Sequence, residues 1–260
     1  MQSSGEFRMS ANSSDPQYQQ LERDGFLTLR NLISPAEIDR LNAHLDALWE
    51  QEGEQAGAEN VYSEPGVRRL ANLANKGEVF RPLYSHPQVL AAVRSALGER
   101  IALIMFNARE VPPSPTPRRQ DFHCDTDPLW NGGVPDSRGY LTCTAVWLLT
   151  DSTAENGATR ALPGTHRSGL LPQAGLADLF APHPDEVVLS GMAGDLVLLN
   201  GNCWHCGGAN YQPTRRRALL AHYKRSDLRR ADYRYKDISK EVRARLTEEE
   251  RQLLECDTDD

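Results

Sequence analysis

The chain has 260 residues with ordinary globular composition, 39% hydrophobic and 25% charged, and a formal net charge of -7. This acidic balance disfavours generic binding to nucleic acid or to an anionic membrane surface. No apolar run approaches the roughly 20 residues of a membrane span, and the polar N-terminus lacks a signal core, so we expect a cytoplasmic protein.

The N-terminal part of the chain predicts a short strand followed by helices. The segment "GFLTLRNL" alternates between apolar and polar residues like a strand. In "ISPAEIDRLNAHLDALW", Ser34 and Glu37 have the spacing of a capping box, and apolar residues then recur at helical period. A second helix is predicted from Pro87 to Leu97, because its apolar residues also follow the helical period.

From about residue 100 the pattern changes to short apolar segments separated by Gly, Pro, Asn and Asp. Since no helical stretch between them is long enough for a parallel crossover, we predict an antiparallel sandwich or barrel with helices packed outside. We expect a flexible tail over 1–15 and a single domain over 16–260, with its β core at about 100–223 and a helical tail at 224–260. The predicted strands lie in "IALIMFNA", "GYLTCTAVWLLT", "EVVLSG", "GDLVLLNG" and "RALLAHY".

Three polar residues in two short motifs indicate a metal site. His123 and Asp125 in "DFHCDTD" are two residues apart, so on an extended segment both side chains project from one face while Cys124 points away. His205 follows a predicted strand, and two histidines with one carboxylate form the facial triad of non-haem Fe(II) oxygenases. Taken alone, H-x-D is a weak signal, and a polar turn with a surface histidine is then the better interpretation.

The surroundings of these motifs are similar to a known family. Arg216, in an apolar strand context, could form a forked pair with a carboxylate. From roughly Tyr18 to Tyr223 the chain resembles the phytanoyl-CoA dioxygenase family of Fe(II)/2-oxoglutarate-dependent oxygenases. The resemblance implies a mainly β fold with flanking α-helices, an eight-stranded double-stranded β-helix (a cupin-like jelly roll). It rests on "LERDGFLTLRNLISPAEIDRLNAHLDAL", "QDFHCD", "LLTDSTAENGATRALPGTHRSG" and "GDLVLLNGNCWHCGGANYQPTRRRAL", which stand in family order.

The resemblance implies a cofactor set and its metal ligands. His123, Asp125 and His205 would bind Fe(II), with 2-oxoglutarate as cosubstrate and O2 as oxidant. The expected reaction hydroxylates, desaturates or cyclises a small organic molecule and releases succinate and CO2. Halogenation is disfavoured, because halogenating relatives lack the carboxylate that Asp125 supplies.

The resemblance also implies residues that contact 2-oxoglutarate. Arg216 matches the residue that binds the far carboxylate, and Arg217 is the alternative, since some members have the arginine one position later. Gln120 and Thr159 match positions that contact the cosubstrate in some branches of the family.

The expected substrate and partners, and two alternative functions, complete the interpretation of the sequence. We expect a secondary-metabolite intermediate as substrate, no nucleic-acid or membrane partner, and a monomer or homodimer. A zinc hydrolase could use the same two histidines and aspartate, but such an enzyme would not need Arg216. A non-catalytic jelly-roll binding module is the second alternative, and an intact triad argues against it.

Overall fold

A computed structural model describes residues 16–58, 66–114, 116–126, 140–228 and 238–256. The predicted tail over 1–15 therefore lies outside the described residues. The helices are α1 (Pro16–Asp24), α2 (Pro35–Glu52), α3 (Arg81–Tyr84), α4 (Pro87–Leu97), α5 (Pro172–Gly175), α6 (Lys240–Arg243) and α7 (Glu248–Leu253). The strands are β1 (Phe26–Leu29), β2 (Arg68–Leu70), β3 (Ile101–Val111), β4 (Thr142–Leu148), β5 (Thr159–Ala161), β6 (Val187–Val188), β7 (Leu196–Asn200), β8 (His205–Gly207) and β9 (Arg216–Arg225).

The described strands form two antiparallel sheets that pack against each other. The larger sheet has the order β1-β7-β4-β9-β3-β2, and the smaller sheet has the order β6-β5-β8. Val146 and Ala218 of the larger sheet share one buried apolar cluster with Ala161 of the smaller sheet. This arrangement confirms the predicted jelly roll, in which side chains from the two inner faces fill the space between the sheets.

The helices cover the other face of the larger sheet. Ile38, Leu41 and Leu45 of α2 are buried in one cluster with Ala145 and Leu219 of that sheet. Each leucine buried in this way contributes about 1.5–3 kcal/mol relative to an exposed one. The predicted capping box at the start of α2 is confirmed, and no helix among the described residues is long and apolar enough to cross a membrane.

The larger sheet extends beyond the predicted core. Its edge strands β1 and β2 come from the N-terminal part of the chain, before residue 100. The apolar alternation in "GFLTLRNL" predicts β1, but the three residues of β2 are too few to show a period. In the smaller sheet, "EVVLSG" forms only the two-residue strand β6.

Strand β9 lies in the middle of the larger sheet, between β4 and β3. Its alternate residues Leu219 and Ala221 pack on the helix side, whereas Ala218 packs between the sheets. Because side chains of a strand alternate between faces, Arg216 and His222 share the inner face with Ala218. This alternation decides which side chains of β9 are positioned toward the interior of the jelly roll.

Candidate metal centre

Two extended segments meet at the candidate site. The peptide N–H of His123 donates to the carbonyl oxygen of His205 at 2.9 Å, and the reverse bond is also 2.9 Å. On the opposite side of both segments, Cys124 packs against an apolar cluster, so His123 and Asp125 share the other side, as the period of two predicts. The members of that cluster are Phe122, Leu162, Trp204 and Cys206.

The three predicted metal ligands come together. One potential ligand atom from each of His123, Asp125 and His205 lies within 4.8 Å of the others. The Nε2 atom of His205 is 3.6 Å from Oδ1 of Asp125, and the two imidazole centroids are 4.5 Å apart. In the part of the chain that the structure describes, no other group of three His, Cys, Asp or Glu side chains is arranged to hold a metal ion.

Backbone carbonyls fix the tautomers of both histidines. Nδ1 of His123 is 2.9 Å from the carbonyl oxygen of Asp121, and Nδ1 of His205 is 2.9 Å from that of Cys203. A carbonyl oxygen only accepts, so each Nδ1 carries the proton and each Nε2 keeps its lone pair for a metal. Burial also lowers the pKa of His205, which favours the neutral form that binds metals.

Asp125 supplies an ionised carboxylate to this group. Although burial alone would raise it, electrostatic interaction with the neighbouring histidines, His205 first, and a hydrogen bond from Thr144 lower the pKa of Asp125 to about 2. Two neutral imidazoles and one carboxylate on neighbouring segments are the donor set of the facial triad. The residues therefore fit Fe(II) with open positions for further ligands.

Two residues behind Asp125, Thr144 and His222, were not predicted from the sequence as part of the site. Thr144 of β4 lies directly opposite His222 of β9, and Oγ1 of Thr144 is 2.5 Å from Nδ1 of His222. The same hydroxyl donates to Oδ2 of Asp125 at 2.6 Å. One signal was available: His222 follows Arg216 by an even number of residues on one predicted strand, so both belong to one face.

The two candidate arginines lie on opposite faces of β9. Arg216 is buried and shares the inner face with His222. Arg217 faces the helices, where its Nε donates to Oε2 of Glu110 at 2.6 Å and its Nη2 bonds to Asp46. The structure therefore does not bring Arg217 to the site, and Arg216 is the arginine that faces the interior.

Gln120 and Thr159 both lie beside β8, the strand that carries His205. The side-chain oxygen of Gln120 accepts a bond from the peptide N–H of Gly207 at 2.9 Å, and Thr159 is the partner of Gly207 across the β5–β8 pair. A Cβ atom at position 207 would come within 2.4 Å of Oε1 of Gln120, so a larger residue there would displace this side chain from its bond to the peptide N–H. Both predicted cosubstrate residues are thus near the metal ligands.

Fold and site together define a jelly-roll protein with a candidate metal centre of two histidines and one carboxylate. Comparison with known proteins adds the family: the model described as "Phytanoyl-CoA dioxygenase (PhyH)" matches residues 21–218. The chain belongs to this family.

The individual relatives share only low sequence identity with this chain. The "Dioxygenase af480" of Aspergillus fumigatus is 25% identical over 95% of this chain and 78% of its own length. The "Fe(II)/2-oxoglutarate-dependent dioxygenase nvfF" of Aspergillus novofumigatus is 26% identical over 74% of this chain and 65% of its own length. The solved structure of HygX from Streptomyces hygroscopicus, with nickel, 2-oxoglutarate and hygromycin B bound, has a TM-score of 0.64 at 18% identity and covers 84% of this chain and 93% of HygX. At this identity the likeness to HygX establishes the shared fold.

Proposed function

We propose that this protein is an Fe(II)/2-oxoglutarate-dependent dioxygenase that hydroxylates or otherwise oxidises a small organic molecule. The observation that carries the proposal is the convergence of two Nε2 lone pairs with the carboxylate of Asp125, each imidazole being oriented by a backbone carbonyl. Membership of the phytanoyl-CoA dioxygenase family supports the same reaction.

In this proposal each residue has a defined task. His123, Asp125 and His205 would hold Fe(II) and would leave positions for further ligands. Arg216 would bind the far carboxylate of 2-oxoglutarate by a charge-assisted forked pair, and Gln120 and Thr159 would contact the cosubstrate beside β8. When bound, the iron with 2-oxoglutarate and O2 supplies the oxidising power, and the cosubstrate leaves as succinate and CO2.

The relatives support a proposal for the substrate class. A relative is named as an Fe(II)/2-oxoglutarate-dependent dioxygenase of a fungus, and HygX holds hygromycin B in its solved structure. We therefore propose a small secondary-metabolite intermediate as substrate of this chain. Location in the cytoplasm and assembly as a monomer or homodimer stay predictions.

The two alternatives have less support. A zinc hydrolase could use the same three ligands, but it gives no task to an arginine on the inner face of β9. A non-catalytic binding module would not need two histidines whose Nδ1–H groups are both engaged so that Nε2 is available. Family membership likewise favours the oxygenase.

Anaerobic addition of Fe(II) and 2-oxoglutarate tests the proposal. The wild type should develop the weak visible charge-transfer band of the iron chelate, and succinate should appear when O2 is admitted. His123→Ala should lose both signals, while His183→Ala, which removes an imidazole of the loop before β6, should keep them. A wild type that shows neither signal, or that retains zinc and cleaves esters or amides, would contradict the oxygenase.

A further inference from the structure

The two carboxylate oxygens of Asp125 have different surroundings. Oδ1 points toward the second histidine, 3.6 Å from Nε2 of His205. Oδ2 points toward β4, where it accepts the hydroxyl of Thr144 at 2.6 Å. One oxygen therefore faces the metal ligands, and the other is engaged by the protein.

The direction of the hydrogen bonds behind Asp125 can be derived. An ionised carboxylate only accepts, so the single hydroxyl proton of Thr144 is donated to Oδ2. Nδ1 of His222, 2.5 Å from the same hydroxyl oxygen, must then be the donor in that contact. The result is a directed chain from His222 through Thr144 to Asp125.

This chain is held by rigid elements. Thr144 and His222 are only 5% and 4% exposed, and they are directly paired residues of two neighbouring strands inside the larger sheet. A β-branched threonine in a strand has few rotamers, so its hydroxyl is aimed before any ligand arrives. A side chain on a loop would not fix Oδ2 to the same degree.

We propose that Thr144, oriented by His222, is a positioning residue that restricts Asp125 to binding the metal through Oδ1 alone. A carboxylate that bound through both oxygens would take a second coordination position and leave fewer for cosubstrate and oxygen. The hydroxyl of Thr144 keeps Oδ2 away from the metal and thereby preserves three open positions. This inference rests on the proposed function, because it concerns the same metal centre.

Cobalt binding tests the inference without turnover. Co(II) is titrated anaerobically into wild type, Thr144→Val and Thr144→Ser, and both affinity and the visible spectrum are recorded. Thr144→Val keeps the shape of the side chain but removes the hydroxyl, so Oδ2 becomes free to bind and we expect a changed visible spectrum, together with a Co(II) affinity altered about 10- to 100-fold. Thr144→Ser keeps the hydroxyl and should bind Co(II) like the wild type.

The control is Thr150→Val, which removes a hydroxyl just after β4 that accepts from the peptide N–H of Arg217 rather than donating to Asp125. It should leave the Co(II) affinity and the visible spectrum unchanged. Thermal unfolding is recorded for each variant to check that it is folded. Wild-type affinity and spectrum in Thr144→Val, or equal changes in Thr144→Val and Thr150→Val, overturn the inference and leave the proposed function intact. A folded wild type that binds neither Co(II) nor Fe(II) overturns both.

Discussion

Arg216 and Arg217 are neighbours in sequence and carry the same charge, yet they face opposite sides of β9. Arg217 meets the carboxylates of Glu110 and Asp46 on the helix side. Arg216 faces the interior that also holds His222, and there its proposed ligand is the cosubstrate. Strand alternation has therefore placed Arg217 among carboxylates on the helix side and Arg216 on the inner face, where we propose that it binds the cosubstrate.

Arg217 lies in a densely charged cluster on the helix side of β9, the outer cluster. Glu110 is 2% exposed, and besides Arg217 it contacts Arg68 at 2.9 Å and Arg215 at 3.4 Å. Trp49 of α2 lies 4.8 Å from the guanidinium carbons of both Arg68 and Arg217, so the indole ring adds cation–π contacts. These contacts join α2 to β3 and β9, and their expected role is stability.

The largest expected effect is the loss of stability when Arg217, the arginine of the outer cluster, is replaced. Arg217→Met leaves Glu110 buried with fewer cations, which should lower the free energy of unfolding by about 3 kcal/mol, the low end for a broken buried pair, because Arg68 remains. Urea unfolding measures this change. If Arg217→Met is as stable as the wild type but cannot bind 2-oxoglutarate, the assignment of a structural role to Arg217 is contradicted.

The same substitution at Arg216, on the inner face of β9, should weaken the binding of 2-oxoglutarate instead. Arg216→Met removes a charge-assisted hydrogen-bonding group worth about 1.5–3 kcal/mol, so the Kd of 2-oxoglutarate in the Fe(II) complex should rise about 10- to 100-fold. Titration of the charge-transfer band measures the Kd, with Arg217→Met as the control of equal charge. Unchanged affinity in Arg216→Met would remove the basis for assigning the cosubstrate to the inner face.

The pH dependence of the unfolding free energy should also distinguish Arg217 from Arg216. Burial raises the pKa of Glu110, but Arg217 and the other neighbouring arginines outweigh it, so the pKa lies below its ordinary 4.5. A carboxyl with a lowered pKa in the folded state gives stability that is complete above pH 4.5 and is lost as pH falls through the lowered value. Arg217→Met brings this pKa closer to normal, so its unfolding free energy should fall less steeply below that pH than in the wild type.

The measurement is urea unfolding at a series of pH values on both sides of that ordinary pKa. Arg216→Met keeps the outer cluster and should retain the wild-type slope. Equal slopes in wild type and Arg217→Met would show that Glu110 does not depend on this arginine.

The smallest effect is expected at the start of α2, the helix that contributes Asp46 to the outer cluster. Ser34→Ala removes the side chain that caps the peptide N–H of Glu37, which should cost about 1 kcal/mol of unfolding free energy. Since this end of the helix is exposed and the loss falls on the outer side, the Kd of 2-oxoglutarate should not change. A shift in that Kd would mean that the two sides are coupled.

Sequence patterns predicted what depends on local spacing. The capping box of α2 and the opposite orientation of Cys124 relative to His123 follow from periods of a few residues. The contact between Thr144 and His222 depends on the register of β4 and β9 across 78 residues of chain, which no local pattern contains. Strands β2, β5 and β8 were not predicted as separate strands, because three residues are too few for a period.

The central place of β9 has a consequence for how the protein is made. Strands β3 and β4 follow each other in the chain, but β9 lies between them in the sheet. As the chain leaves the ribosome, all three predicted metal ligands emerge before Arg216, yet the larger sheet stays divided into two parts until β9 arrives. During that interval the edges of β3 and β4 are unprotected, so this is the stage of synthesis at which we expect the protein to need chaperones most.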